Sequence, residues 1–265
     1  MQPGIRPLGH QIREWRQVRR RSQMDLALDA EISTRHLSFI ETGRSRPSRD
    51  MVLRIADHLE VPLRERNAML IAAGFAPVYG ERSLDDPELA AARRAIDIVL
   101  RGHEPYPALA VDRHWNLVAA NRAVGPLMAS AAADLLAPPV NVLRLSLHPQ
   151  GLAPQILNLA EWRAHILERL KRQVAATADT GLRALLDELK GYPAADGAGS
   201  FSDLGAVVIP MRMASPVGEL SFFSTTTVFG TPMDVTLSEL AIESFFPADE
   251  VTAERLRALE QATTA

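Results

Sequence analysis

The stretch SQMDLALDAEISTRHLSFIETGRSRPSRDMVLRIADHLEVP, residues 22–62, decides the reading of the first third of the chain. Ser22 followed three residues later by Asp25 is a capping-box start. It predicts a short helix buried through Met24, Ala27 and Leu28. A brief turn follows at 31–33, and Ser33 is placed to cap a third helix whose apolar positions are Leu37 and Ile40. Gly43 can end that helix in a left-handed conformation. Ser48 opens a fourth helix (Val52, Ile55, Leu59), and Pro62 at a first-turn position opens a fifth (Leu63, Met69, Leu70). Upstream, Leu8, Ile12, Trp15 and Val18 recur at helical spacing, with Arg13, Arg16, Arg19 and Arg20 on the rest of the cylinder.

Burying only Leu37 and Ile40 leaves the third helix with a second, polar face made of Ser33, Thr34, Arg35, His36, Ser38 and Phe39. Residues 1–54 hold eleven Arg and six acids, a charge of +5, so a chain of net charge -3 carries -8 in the remainder. A basic head on an acidic body points to a polyanion-binding module beside something that must not bind one. Five short helices with a tight turn between the second and third describe a helix-turn-helix domain. Arg35 can fork onto guanine O6 and N7, Thr34 and Ser38 are adaptable hydrogen bonders, and Phe39 can pack against a thymine methyl. A merely solvated face is the competing reading for Arg19, Arg20 and Arg21, and closure of the domain core is the competing one for Phe39.

With its turn spacing, its IETG ending and the RPS after it, the quoted stretch resembles the lambda-repressor/Cro-type, or XRE-family, helix-turn-helix proteins over residues 8–74. The resemblance implies that Gln23 anchors a DNA phosphate. It further implies that Thr34, Arg35, Ser38 and Phe39 face the major groove, that Arg44 and Arg46 lie along the backbone, and that Glu41 pairs with Arg16.

From residue 80 the pattern changes. GERSLDDPELAAARRAIDIVLRGHEPYP (80–107) is a connector with a helix from Glu88 to about Arg101 (Leu89, Ala92, Ile96, Val99), either a signalling or dimer helix or a spacer. PALAVDRHWNLVAANRAVGPLM (107–128) reads as a strand pair, Ala108–Val111 and Leu117–Ala120, followed by Asn121 as the cap of a helix. Helices are expected at 159–176 and 182–189, and a surface loop at Pro193–Gly199. GAVVIPMRM, GELSFFSTTTVFG and MDVTLSELAIESFFP are β-rich, with a turn at 215–218. Strand pair, helices, three strands resembles the PAS order.

NVLRLSLHPQGLAPQILNLAEWRAHILERLKRQ, GELSFFSTTTVFGTPMDVTL and ELAIESFFP further resemble the MmyB-like ligand-binding domain over roughly residues 90–250, a domain that in its family follows an XRE-type head. The resemblance implies a PAS-like sensor with an internal pocket, with fatty-acid-like ligands as one possibility. Such pockets are largely apolar with a few convergent polar groups. The candidate lining residues are Asn121, His148, Trp162 and His165 from the helical side and Phe222, Ser224 and Phe229 from the strands. Arg144 or Arg163 could grip a carboxylate. Plain core roles for Trp162 and Phe222, and structural roles for His148 and His165, are the competing readings.

The expected architecture is multi-domain: an all-α five-helix head (1–78), a connector (79–104), an α+β PAS-like domain with an antiparallel sheet (105–250) and a helical tail (251–265). The chain has no Cys, and no G-x-S-x-G, no G-x-x-x-x-G-K-[ST], no H-E-x-x-H and no His/Asp/Glu cluster at metal-ligand spacing. No enzyme and no metal or cofactor are expected, and no run of apolar residues approaches a membrane span. The expectation is a cytoplasmic, homodimeric regulator of double-stranded DNA that senses a small effector. The alternative is a regulator whose larger domain only dimerises or docks a protein.

Overall fold

The computed structural model describes residues 6–193 and 209–264. Five helices form the head: α1 (Leu8–Val18), α2 (Gln23–Asp29), α3 (Thr34–Glu41), α4 (Arg49–His58) and α5 (Leu63–Ala72). Their ends are set locally. Ser22 and Asp25 make the full capping box, and Ser33 and Ser48 accept the backbone N–H three residues on. Gly43, at φ +73°, closes α3 in the left-handed region, where only glycine is free of Cβ strain. The core packs Ile12, Trp15, Leu26, Ala27, Leu37, Ile40, Val52, Ile55, Leu59, Met69 and Leu70.

α2 departs from the expected face. Leu26, Ala27 and Ala30 are buried, whereas Met24 and Leu28 are 68% and 78% exposed. Seven residues with apolar side chains on every side cannot select a face by period. Packing against α3 and α4 selects it. Val18 is likewise at the surface.

The chain divides into two compact units, one running to Ser83 and taking in Thr231–Ser238, the other holding the remaining described residues. In the first, α12 (Val235–Ser238) packs on α5. Asp234 pairs with Arg82, Val235 N–H donates to Gly80 O (2.7 Å), and the Thr236 hydroxyl donates to Arg82 O (2.6 Å). The MDVTLSEL part of the expected β-rich run is thus this short helix and its approach.

The second unit is built on a five-stranded antiparallel sheet in the order β2-β1-β5-β4-β3: β1 (Ala108–Val111), β2 (Leu117–Ala120), β3 (Met211–Ser215), β4 (Gly218–Val228) and β5 (Ala241–Pro247). This is the PAS-like α+β arrangement. The β3–β4 turn has Gly218 at φ +104°. The loop expected at Pro193–Gly199 falls, after Pro193, outside the described residues, as do residues 205–208 of the third expected strand.

Between β2 and β3 lie α7 (Val124–Met128), α8 (Ala133–Leu136), α9 (Val142–Leu147), a single 3-10 turn at Ala153–Gln155, α10 (Leu159–Thr177) and α11 (Thr180–Lys190). Leu109, Val111, Met211, Met213, Leu220 and Phe222 from the sheet join Leu143, Trp162, Ile166, Leu170, Leu185 and Leu189 in one core. The helix in the connector, α6 (Ala90–Gly102), packs on β1 and buries Ile96 and Leu100, while Val99 is 44% exposed, against expectation. α13 (Glu250–Thr264) packs on β4 and β5 through Thr252, Ala253 and Leu256. Among the described residues, no helix is long and apolar enough to cross a membrane.

Candidate functional site

In the head, the candidate site is the outer face of α3. Leu37 and Ile40, almost fully buried, fix the helix from beneath. Ser33 Oγ accepts the His36 N–H (3.1 Å), and after Gly43 the Arg44 and Ser45 N–H groups both donate to Phe39 O (2.8 and 3.1 Å). Thr34 and Arg35 are exposed, Ser38 and Phe39 half-buried, and Arg44 and Arg46 exposed in the following loop. The Arg35 guanidinium lies 5.3 Å from the Phe39 ring centroid, a cation–π contact one helical turn apart that keeps the fork on this face. His36 is half-buried, its Nε2 3.4 Å from Ser45 Oγ.

Beneath this face is a buried carboxylate. Glu41, with no exposed side-chain surface, accepts from Arg16 Nε (2.7 Å) and NH2 (3.0 Å), from Gln23 Nε2 (2.8 Å) and from Arg13 Nε (3.5 Å). Burial pushes this carboxyl up. The hydrogen bonds from Arg16 and Gln23 and the Arg16 charge outweigh burial and leave it below the usual range. The expected Arg16–Glu41 pair is present. Gln23, expected on a phosphate, places its amide on Glu41 in this structure. Arg19 and Arg21 are structural too: Arg19 donates to the Leu59 and Glu60 carbonyls (both 3.0 Å) and lies over Trp15, and Arg21 pairs with Asp29.

In the second unit, a cavity of about 100 Å³ lies between the sheet and α7, α9 and α10. Leu109, Trp115, Leu127, Met128, Val142, Leu143, Leu152, Ile166, Leu170, Met211, Met213, Phe222 and Phe245 line it, and its polar groups are Ser146, His165, Arg169 and Glu243. Arg169 meets Glu243 through two nitrogens (3.2 and 2.5 Å). Thr226 Oγ1 accepts from Arg169 (2.7 Å) and donates to Glu243 (2.7 Å). Trp162 donates its indole N–H to Ser146 Oγ (2.9 Å) and stacks on His165. Burial lowers the His165 pKa, and the charges of Arg169 and Arg172 lower it further, so its ring is neutral at pH 7. Trp115 sits at φ +66°, donates its indole N–H to Gln173 (2.8 Å), and has the Arg169 guanidinium 4.4 Å from its ring centroid. An aromatic residue in the left-handed region is strained, and here the strained residue lines the cavity.

Of the residues expected at the pocket, Trp162, His165 and Phe222 line the cavity and the others do not. Asn121 is buried as a backbone tie: it accepts the Ala108 N–H (3.1 Å) and donates to Leu100 O (3.1 Å) and Tyr106 O (2.8 Å), so its side chain is not a helix cap. Arg144 is held in a two-pronged pair with Glu188 (2.6 and 2.7 Å), which also accepts from Tyr192. Arg163 donates to the Lys190 carbonyl (2.9 Å) at the end of α11. His148 Nδ1 accepts the Gln150 N–H (3.0 Å), and its ring meets Tyr192 edge-on. Ser224 lines an adjoining open groove with Arg172, Gln173 and Thr226, a groove that His165 and Arg169 share with the cavity. Phe229, half-buried past the end of β4, is outside the cavity lining.

Arg169 and Glu243 escaped the sequence reading, although each left a trace. Arg169 continues the Trp162, Ile166, Leu170 stripe of α10, and Glu243 is a lone acid inside the apolar run LAIESFF. Among the described residues, no group of three or more His, Asp or Glu is arranged to hold a metal.

Residues 92–259 match the family described as MmyB-like transcription regulator ligand binding domain, and residues 7–69 match a helix-turn-helix domain family. No curated protein matches the chain. A solved structure described as an RNA-binding Light-Oxygen-Voltage Receptor aligns over 97% of this chain at 14% identity with a TM-score of 0.25, and the chain spans 63% of that protein's length. With its helical head, its five-stranded sheet and an apolar cavity within the matched region, the chain belongs to the MmyB-like family of transcription regulators, a helix-turn-helix domain followed by a ligand-binding domain.

Proposed function

We propose that this chain is a cytoplasmic, homodimeric regulator that reads duplex DNA with Thr34, Arg35, Ser38 and Phe39 and takes a small, largely apolar ligand with a fatty-acid-like chain. The cavity is the observation that carries the reading. Protein interiors are close-packed and seldom leave voids larger than a water. A site for one water needs about 10–15 Å³, and this apolar void is about 100 Å³. Left unfilled, a void of that size costs about 2 kcal/mol, which a ligand of matching shape recovers. A module serving only for dimerisation or docking has no use for such a void.

One recognition helix covers a half-site, so two copies would place theirs about 34–36 Å apart on a pseudo-palindrome. Ligand binding alters DNA affinity to the extent that the ligand prefers one of two states of the protein. The test is mass spectrometry of lipid extracted from the purified full chain, with fluorescence anisotropy on duplex fragments of its own promoter before and after delipidation. A co-purifying apolar molecule whose removal shifts DNA affinity supports the reading. A protein that binds no apolar compound and ignores its own promoter at low salt refutes it.

A further inference from the structure

The polar end of the cavity is already neutralised by the protein itself. Glu243 projects from β5 with a side chain only 5% exposed. It faces Arg169 of α10 through two nitrogens and accepts the Thr226 hydroxyl. Both protons of one terminal Arg169 nitrogen are used, one on Glu243 and one on Thr226, and the other face of the guanidinium is the Trp115 ring. His165, the other basic group on the lining, is uncharged at neutral pH. Arg172 lies in the open groove outside, where water screens it.

We propose that Glu243 occupies the anion seat at Arg169, so that the cavity selects ligands whose polar head is uncharged (a hydroxyl, ester or amide on an apolar chain) and excludes carboxylates. This rests on the reading of the void as an apolar ligand site. A ligand carboxylate would have to lie beside Glu243, a like charge in a poorly solvated site, or displace it and strand a buried carboxylate without its partner. A neutral head exchanges hydrogen bonds with the His165 ring or the Ser146 hydroxyl and leaves the ion pair intact. Glu243 is therefore the specificity-determining residue.

The test compares 1-decanol, decanamide and decanoate on the delipidated full chain at pH 7.5. Two of the three tryptophans, Trp115 and Trp162, line the cavity and report occupancy by fluorescence. The neutral probes should bind at least about tenfold tighter than decanoate. In Glu243→Gln, which leaves the Arg169 charge unmatched, the ratio of decanoate to decanol affinity should rise by at least about tenfold. Decanoate binding the unaltered protein as tightly as decanol overturns the proposal and needs no variant. So does an unchanged ratio in a Glu243→Gln protein whose circular dichroism is that of the parent. Failure of all three probes to bind refutes the apolar-ligand reading instead, and this inference falls with it.

Discussion

Replacing Glu41 with Ala tests what holds α3, the helix proposed to read DNA, in place. The carboxylate has no exposed side-chain surface, and Arg16, its closest partner, keeps 13%. Removing the acid leaves the Arg16 guanidinium nearly buried with no counter-charge and takes away the acceptor of Gln23. Breaking a buried pair from one side costs about 3–5 kcal/mol, a large share of the roughly 5–15 kcal/mol that holds a domain together. Hydrogen exchange of peptides spanning α3, followed by mass spectrometry in the full chain, reads this unit apart from the body. At 1.4 kcal/mol per factor of ten, the amides of α3 should lose at least about a hundredfold of their protection. The double variant Glu41→Leu with Arg16→Met removes both charges together and should recover most of it. Acid acts by the same route. The folded Glu41 carboxyl lies below its unfolded value of about 4.3, so its contribution is complete above that value and disappears as pH falls through the folded one. The double variant should lack this acid sensitivity. Protection in Glu41→Ala within about tenfold of the parent would show that water reaches the pair, and the reasoning would fail.

Arg35→Ala should weaken operator binding by about 1–3 kcal/mol and relax one position of the footprint, whereas Arg19→Ala, which loses the contacts to the Leu59 and Glu60 carbonyls just past α4, should lower the melting temperature first. Anisotropy titration beside thermal melts separates the two. Gly9→Ala would set a Cβ 2.3 Å from Glu41 O and 2.7 Å from Ile40 O, forcing α1 away from the end of α3; a loss of about 1–3 kcal/mol is expected in chemical denaturation. Asn121→Ala leaves the Ala108 N–H and the Tyr106 carbonyl without the Asn121 amide, while the Leu100 carbonyl keeps the His103 N–H (3.3 Å), and should cost about 2–3 kcal/mol. Asn121→Asp should not rescue it, because a carboxylate cannot donate to the two carbonyls.

Much of the head was legible because its signals are local. A serine capping three residues ahead, or a glycine that alone tolerates positive φ, acts within one turn, and Ser22, Ser33, Gly43 and Ser48 all do so here. The strand pair at 108–120 was legible for the same reason: two short apolar runs flank a polar connection at 112–116, where the Asp112 carboxylate accepts the His114 and Asn116 N–H groups. Local signals do not choose between faces that are equally apolar, so the exposure of Met24 and Leu28 followed from packing.

By itself, the sequence determined where the head's helices begin and end and which residues α3 turns outward, since those depend on hydrogen bonds and spacings a few residues long. Tertiary structure decided which polar groups reach the cavity. Arg144 and Arg169 are alike as residues, and each lies on a helix. One meets Glu188 at the surface and the other meets Glu243 in the interior, 74 residues further along the chain. A charge's environment depends on what the fold brings beside it, and those partners come from segments that share no local pattern.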